Sequence, residues 1–175
     1  NDIVKVAKQR NEDPFIIILD EIQDPQNLGA IIRTAECAGA HGIVIPKHNA
    51  ASVNQTVVKT SSGAVEHMLI AKVTNLAQTI DEMKKQGIWV VGTDSGVSKL
   101  YTQIDFAMPV ALVIGSEGSG MRKLTKDKCD FVVKIPLYGK IQSLNASVAS
   151  ALVMFEIVRK RKSLDGAIVK LPKPE

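Results

Sequence analysis

Three stretches of this chain combine residue types and spacings that could hold a ligand or act on one. The last, Ile135 to Ser150 (IPLYGKIQSLNASVAS), follows the apolar run Phe131-Val132-Val133. Pro136 keeps Ile135 extended and supplies no backbone donor, Gly139 permits a turn, and Ser143 and Asn145 can cap a helix. A strand, a constrained loop and a capped helix make a backbone cradle for a ligand, although the same stretch also reads as an ordinary strand-to-helix connection. The middle stretch, Gly115-Ser116-Glu117-Gly118-Ser119-Gly120-Met121, has three glycines that let backbone approach a ligand closely. Its G-x-x-G-x-G spacing is neither the dinucleotide fingerprint nor a P-loop, and Glu117 would repel a phosphate. The first stretch, Asp20 to Asn27, leads into a helix with Gln26, Gly29 and Arg33 on one stripe. Gly29 is expected to leave open space one turn before Arg33. A surface arginine paired with Glu36 or Asp24 is the plainer reading.

The elements that must position these residues alternate along the chain. Phe15 to Leu19 is an apolar, β-branched run and reads as a buried parallel strand. Asp24-Pro25 supplies an N-cap and a proline at the first helical position, Leu28, Ile31, Ile32 and Ala35 form a core stripe, and Gly39 can end the helix. Further strands are expected over Gly42 to Ile45, Met68 to Ala71, Ile88 to Val91, Val110 to Ile114 and Cys129 to Lys134. Helices are expected over Asp2 to Arg10, Ser52 to Ser61 and from Leu76 to Gly87. After Asn145, the residues Val148, Ala151, Leu152 and Phe155 fall at i, i+3, i+4 and i+7, and this face is expected to lie on the core. Strands alternating with helices imply an α/β domain with a mostly parallel sheet, whose ligands bind beyond the carboxyl ends of the strands.

The chain has 175 residues, 45% of them hydrophobic, which suits one domain with a sizeable core and excludes a disordered chain. The net charge of +4 is compatible with a nucleic-acid partner. Arg159-Lys160-Arg161-Lys162 ends the last helix, as a solvated terminus or as a contact to phosphates. No apolar run is long enough to cross a bilayer. Cys37 and Cys129 have no metal-ligand spacing and read as buried, unpaired thiols of a reducing, cytoplasmic compartment. His41, His48 and His67 form no metal motif, so no metal is expected.

In order, the three stretches resemble the three motifs of the SpoU (TrmH) family of RNA ribose methyltransferases. Asp24-Pro25-Gln26-Asn27-Leu28-Gly29-Ala30-Ile31-Ile32-Arg33-Thr34 resembles the first, and Gly115-Ser116-Glu117-Gly118 with Gly120-Met121 the second. Ile135-Pro136-Leu137 with Gly139 and Ser143-Leu144-Asn145-Ala146-Ser147 resembles the third. The similarity runs from about Phe15 to Lys162, and departs only where Leu137 and Ala146 replace the common Met and Val.

The resemblance implies the SPOUT α/β-knot fold, a mostly parallel sheet with helices on both faces and a C-terminal trefoil knot. It implies S-adenosylmethionine bent into that knot, held by backbone at Gly115, Ile135 and Leu144 with Leu137 and Gly139 nearby, in a homodimer that completes the site. Residues 15–162 would be the catalytic domain, 1–14 a linker or the end of a preceding RNA-binding domain, and 163–175 a tail. The implied reaction is methyl transfer to a ribose 2′-hydroxyl, with Arg33 matching the catalytic arginine. A guanidinium is a poor base at neutral pH, so a grip on phosphate and developing alkoxide fits it better. Asn27, Glu117, Ser143 and Asn145 match polar motif positions. Asn145 reads equally as a helix cap, and Glu117 as an organiser of its loop. Glu66-His67 with Ile45-Pro46-Lys47 is most similar to members acting on a guanosine of 23S ribosomal RNA. Transfer-RNA guanosine enzymes and thiostrepton-resistance methyltransferases are close alternatives. An inert RNA-binding module would be expected to lose cofactor-loop residues, and a flavodoxin-like or Rossmann oxidoreductase would need an early phosphate loop.

Overall fold

The computed structural model describes residues 2–163. The tail expected over 163–175 therefore lies, beyond Ser163, outside the described residues. The sheet contains Phe15–Asp20 (β1), Gly42–Pro46 (β2), Ile70–Val73 (β3), Trp89–Thr93 (β4), Val110–Gly115 (β5) and Phe131–Val133 (β6). They pair throughout in parallel, in the order β3-β2-β1-β5-β4-β6. Every residue of β1 is buried, as an uninterrupted apolar run covered on both sides requires. Phe15, Ile17 and Leu19 enter one core, Ile16 and Ile18 the other. The helices Pro25–Cys37 (α2), Gln55–Thr60 (α3) and Ala146–Arg161 (α6) cover the first face. Asp2–Gln9 (α1), Leu76–Lys85 (α4) and Lys123–Lys128 (α5) lie on the second.

Capping sets several boundaries. Asp24 accepts hydrogen bonds from Gln26 N and Asn27 N at the start of α2, with Pro25 at the first helical position. The helix expected from Ser52 begins only at Gln55, because Asn54 folds its side chain onto Val57 N. The third strand starts two residues later than its apolar run, in the register that pairs Ile43 with Ile70. Nothing in the sequence pattern announces α5. It is one and a half turns of KLTKDK with one buried residue, Thr125, and has no apolar stripe to betray it. α1 is not merely a linker, since Ile3 and Ala7 are buried, and Ile3 belongs to the second core.

The apolar stripe expected to bury α6 faces the other way. Val148, Leu152 and Phe155 are exposed, while Ala146, Ser150, Val153, Met154 and Ile157 are buried. The helix is apolar on two sides, and periodicity alone does not say which side meets the sheet. Cys37 is likewise exposed, not buried. Burial raises the thiol pKa of half-buried Cys129 to about 12.

The basic run at the end of α6 is largely committed to the fold. Arg159 pairs with Glu156 of its own helix and Lys162 with Glu12. Arg161 donates to the carbonyl oxygens of Asp13, Pro14, Phe106 and Met108, and its guanidinium lies 5.4 Å from the Phe15 ring centre. It thereby ties the end of α6 to the residues that precede β1 and β5. The alternative of free phosphate-binding cations is thus reduced to Lys160, for which no partner is seen among the described residues.

His41 sits at the same end of the sheet with 3% of its surface exposed. Its Nδ1 accepts from Phe15 N at 3.0 Å and its Nε2 lies 3.1 Å from Glu12 Oε2. The ring is therefore neutral, with its proton on Nε2. Burial holds its pKa below 6.5, against the opposing pull of Glu12. The unfolded chain takes up a proton near pH 6.5 that the folded ring resists, so this contribution is present above that pH and is lost below it. The melting temperature is expected to fall between pH 7.5 and pH 5.5, and His41→Gln to flatten that slope. Parallel melting curves of the two proteins across this range would contradict it.

Candidate functional site

The loops that leave β4, β5 and β6 surround one cleft at the carboxyl end of the sheet. Its walls include Thr93, Asp94, Gly115, Glu117, Ile135, Leu137, Ser143 and Leu144. These strands are spatial neighbours, so segments separate in sequence converge as expected for the ligand side of a doubly wound sheet. The connection between β4 and β5 meets the end of β6 here. Lys134 N donates to Lys99 O, and Tyr101 N to Lys134 O. The chain then runs to α6, which packs back on α2 and β5. This crossing is where the resemblance places the knot.

Gly115 must be glycine for steric reasons. A Cβ there would stand 2.2 Å from Gly120 C and from Met121 N. The loop doubles back on itself, with Ser116 and Gly120 exchanging backbone hydrogen bonds, and its return limb lies against Gly115. Its glycine therefore serves the close approach of its own backbone.

Glu117 joins the three motifs. Its Oε1 accepts from Asn27 Nδ2 at 3.1 Å, from Asn145 Nδ2 at 2.5 Å and from Ala146 N at 2.9 Å. Asn145 Nδ2 also reaches Asn27 Oδ1 at 2.9 Å, while Asn145 Oδ1 caps α6 by accepting from Ser147 N and Val148 N. Asn145 is thus the helix cap, and it also contacts the polar residues of the first two motifs. Glu117 lies near the first turns of α2 and α6, where negative charge is favoured.

The other expected residues divide. Gly115, Ile135, Leu137 and Leu144 line the cleft together with Ser143 and Glu117, whereas Gly139 and Arg33 do not. A Cβ added at Gly139 would have nothing within 4 Å, so no crowding demands glycine there. Arg33 is exposed on α2 and donates from Nη1 to Ser62 Oγ at 3.1 Å, not to Glu36 or Asp24. The open space expected beside Gly29 is filled. Its Cβ would meet Thr60 Oγ1 at 1.8 Å, because α3 packs on α2 at this point.

Thr93 and Asp94 belong to the cleft wall without belonging to any of the three motifs. Asp94 Oδ2 accepts from Lys126 Nζ at 2.8 Å and its Oδ1 from Gly96 N at 2.7 Å. The Lys126 hydrogen bond, outweighing partial burial, holds this carboxyl below its ordinary pKa. The sequence signal is Gly92-Thr93-Asp94 at a strand end, and only the strand order places it beside β5.

Gly115→Ala is expected to destabilise the domain by about 1–3 kcal/mol or more, since backbone and not a movable side chain occupies the space. The urea midpoint of unfolding measures it. An unchanged midpoint would contradict the close approach.

Known proteins bear directly on this arrangement. The SpoU rRNA Methylase family model matches residues 14–155. A Bacillus subtilis protein assigned to the TrmH family of tRNA/rRNA methyltransferases is 57% identical over 161 residues, covering 92% of this chain and 65% of that protein. The chain thus spans just under two thirds of that relative's length. Among solved structures, the SpoU methyltransferase AviRb from Streptomyces viridochromogenes, in complex with the cofactor AdoMet, superposes with a TM-score of 0.81 at 32% identity, covering 86% of this chain and 62% of that one. An RNA 2′-O ribose methyltransferase superposes with a TM-score of 0.77 at 29% identity, covering 86% and 57%. The six-stranded parallel sheet is therefore the SPOUT fold of these enzymes, and the chain belongs to the SpoU (TrmH) methylase family.

Proposed function

We propose that this chain binds S-adenosylmethionine in the cleft beyond β4, β5 and β6 and methylates a ribose 2′-hydroxyl of RNA. The observation that carries the reading is the convergence of the three motif loops, joined through Glu117, Asn27 and Asn145, beside a cleft with Gly115 in its wall. The apolar side chains of Ile135, Leu137 and Leu144 suit an adenine, and exposed loop backbone suits its polar edge. The AdoMet complex of AviRb, a relative of the same fold, supports the same ligand.

When bound, the cofactor supplies an electrophilic methyl group on a sulfonium. The chain's own residues align the hydroxyl with it and stabilise the charge that develops as the proton leaves. Glu117, Asn27 and Asn145 hold the loops in register, and Ser143 at the cleft wall is available to a substrate oxygen. Arg33 grips the phosphate beside the reacting ribose. It is absent from its own chain's cleft wall, yet lies one turn from Ala30, which borders an exposed apolar surface with Thr34, Val148, Ala151, Leu152 and Phe155. A homodimer that buries this surface completes the site.

The target we favour is a guanosine of 23S ribosomal RNA, on the strength of Glu66-His67 and Ile45-Pro46-Lys47. A transfer-RNA guanosine is the alternative, and the Bacillus subtilis relative's assignment names both RNA classes. A cytoplasmic location accords with an RNA substrate. No helix among the described residues is long and apolar enough to cross a membrane.

Arg33→Ala is expected to leave S-adenosylmethionine affinity near that of the wild type while lowering single-turnover methyl transfer by roughly two to four orders of magnitude. Arg33→Lys should recover little, because an ammonium lacks the planar fork. Calorimetry and single-turnover kinetics on one preparation check both, and near-normal turnover would remove Arg33 from the mechanism. Phe155→Glu should convert a dimeric mass in light scattering to a monomeric one, whereas a monomeric wild type would overturn the homodimer. Ribose-methylation mapping of ribosomal and transfer RNA from a deletion strain identifies the target.

A further inference from the structure

α5 carries no motif residue, yet two of the cations on it and at its N-cap, Lys126 and Arg122, meet carboxylates at the ends of the two strands that flank β5. Arg122, at its N-cap, donates from its backbone N to Asp20 Oδ2 at 2.8 Å and from Nε to Asp20 Oδ1 at 2.7 Å, with Nη2 also 2.7 Å from Oδ1. Asp20 is the last residue of β1, has no exposed surface, and stands in register with Gly115 of β5. Lys126, one turn further along α5, donates to Asp94 just beyond the end of β4. The strand order places β1 and β4 on opposite sides of β5. Chain connectivity puts the cleft loop, 115–121, between β5 and Arg122. Its entry is fixed by strand pairing to Asp20 and its exit by ion pairing to the same Asp20. Met121 adds a third hold, since its Cε lies 2.6 Å from the position of a Cβ on Gly92 of β4.

We propose that Arg122 and Lys126 are positioning residues for the cofactor cleft, acting as a two-point bracket that sets the 115–121 loop and Asp94 against the β6–α6 loop. The inference rests on the cofactor reading above and adds to it residues outside all three motifs. Neither cation touches the ligand in this role. Arg122 fixes the return limb against Gly115, and Lys126 fixes the Asp94 wall opposite. Asp20 itself is a fully buried carboxylate, so it is committed to Arg122 and cannot exchange that partner for water without opening the loop. The Lys126–Asp94 pair is more exposed and contributes less.

The test measures S-adenosylhomocysteine affinity by calorimetry, with melting temperature and single-turnover rate at saturating cofactor, on the full chain. Arg122→Ala is expected to weaken binding by roughly tenfold to a hundredfold, the scale on which loss of an orienting partner acts on a bound group. Lys126→Ala should weaken it by about threefold to tenfold, and Arg122→Lys should fall between wild type and Arg122→Ala. Single-turnover rates at saturating cofactor should stay within about threefold of wild type, because the reacting groups are intact. Arg161→Lys, at the opposite end of the sheet, serves as the control that lowers melting temperature without changing affinity. If Arg122→Ala fails to fold, Arg122→Lys and Lys126→Ala carry the same comparison. Variants that melt lower but bind like wild type, as Arg161→Lys should, would overturn the bracket and leave the cofactor reading standing. A folded wild type that binds neither S-adenosylhomocysteine nor S-adenosylmethionine would overturn the cofactor reading first.

Discussion

One carboxylate oxygen, Glu117 Oε1, gathers parts of the chain that are 90 and 28 residues away from it. It accepts from the first turn of α2, from the cap of α6 and from the first backbone amide of α6. Two helix N-termini directed at one another's side chains would leave unsatisfied donors and converging positive ends. A fixed negative charge between them answers both problems. The loop after β5 therefore carries Glu117 for a structural reason that a phosphate-binding loop could not share, and the position of the α6 start, on which the cleft wall depends, follows from it.

The sheet supplies the frame in which that oxygen can act. β1 and β5 are buried on both faces along nearly their whole length, so their register admits no slip that would keep the two cores filled. Asp20 and Gly115 are consequently side by side at one end, and Pro14 and Val110 are joined at the other. Rigidity at the strand ends is transferred to the loops: the cleft connections are held by hydrogen bonds and ion pairs to the strand ends, while the other end is closed by Arg161 and His41.

Much of this order is legible in the residues. Apolar runs locate the strands to within about two residues, and the caps at Asp24 and Asn145 mark helix starts because a side-chain oxygen there leaves a local pattern. What fails does so for definable reasons. Val148, Leu152 and Phe155 have the spacing of a core stripe, but a helix with two apolar sides has two such stripes, and only contacts with β5 and α2 choose between them. Gly29 reads as a vacancy because Thr60, which fills it, belongs to a different helix, α3, distant in sequence. α5 has no periodicity, and its role depends on strand order, which no local window contains. The basic run at 159–162 has the composition of a phosphate contact, yet Arg161 directs its donors to four backbone carbonyls. Gly115, Ile135, Leu137, Leu144 and Ser143 share one cleft wall, a grouping that comes from the motifs as a set, whereas Arg33, on the same first motif as Asn27, lies outside that wall.

The strand order β3-β2-β1-β5-β4-β6 has a further consequence while the chain is being made. β1, β2 and β3 can pair once Val73 has emerged, but the other edge of β1 is filled only by β5, which ends at Gly115. The intervening 42 residues (115 minus 73) take about 2 to 8 s to synthesise at ordinary elongation rates. Throughout that interval an apolar strand presents unpaired amides and carbonyls to its surroundings, the arrangement most prone to adding a foreign strand. Slow translation across 74–115 prolongs this exposure, and a chaperone that covers an extended apolar segment shortens it. The nascent chain, more than the finished domain, is the state in which this topology is most vulnerable to aggregation.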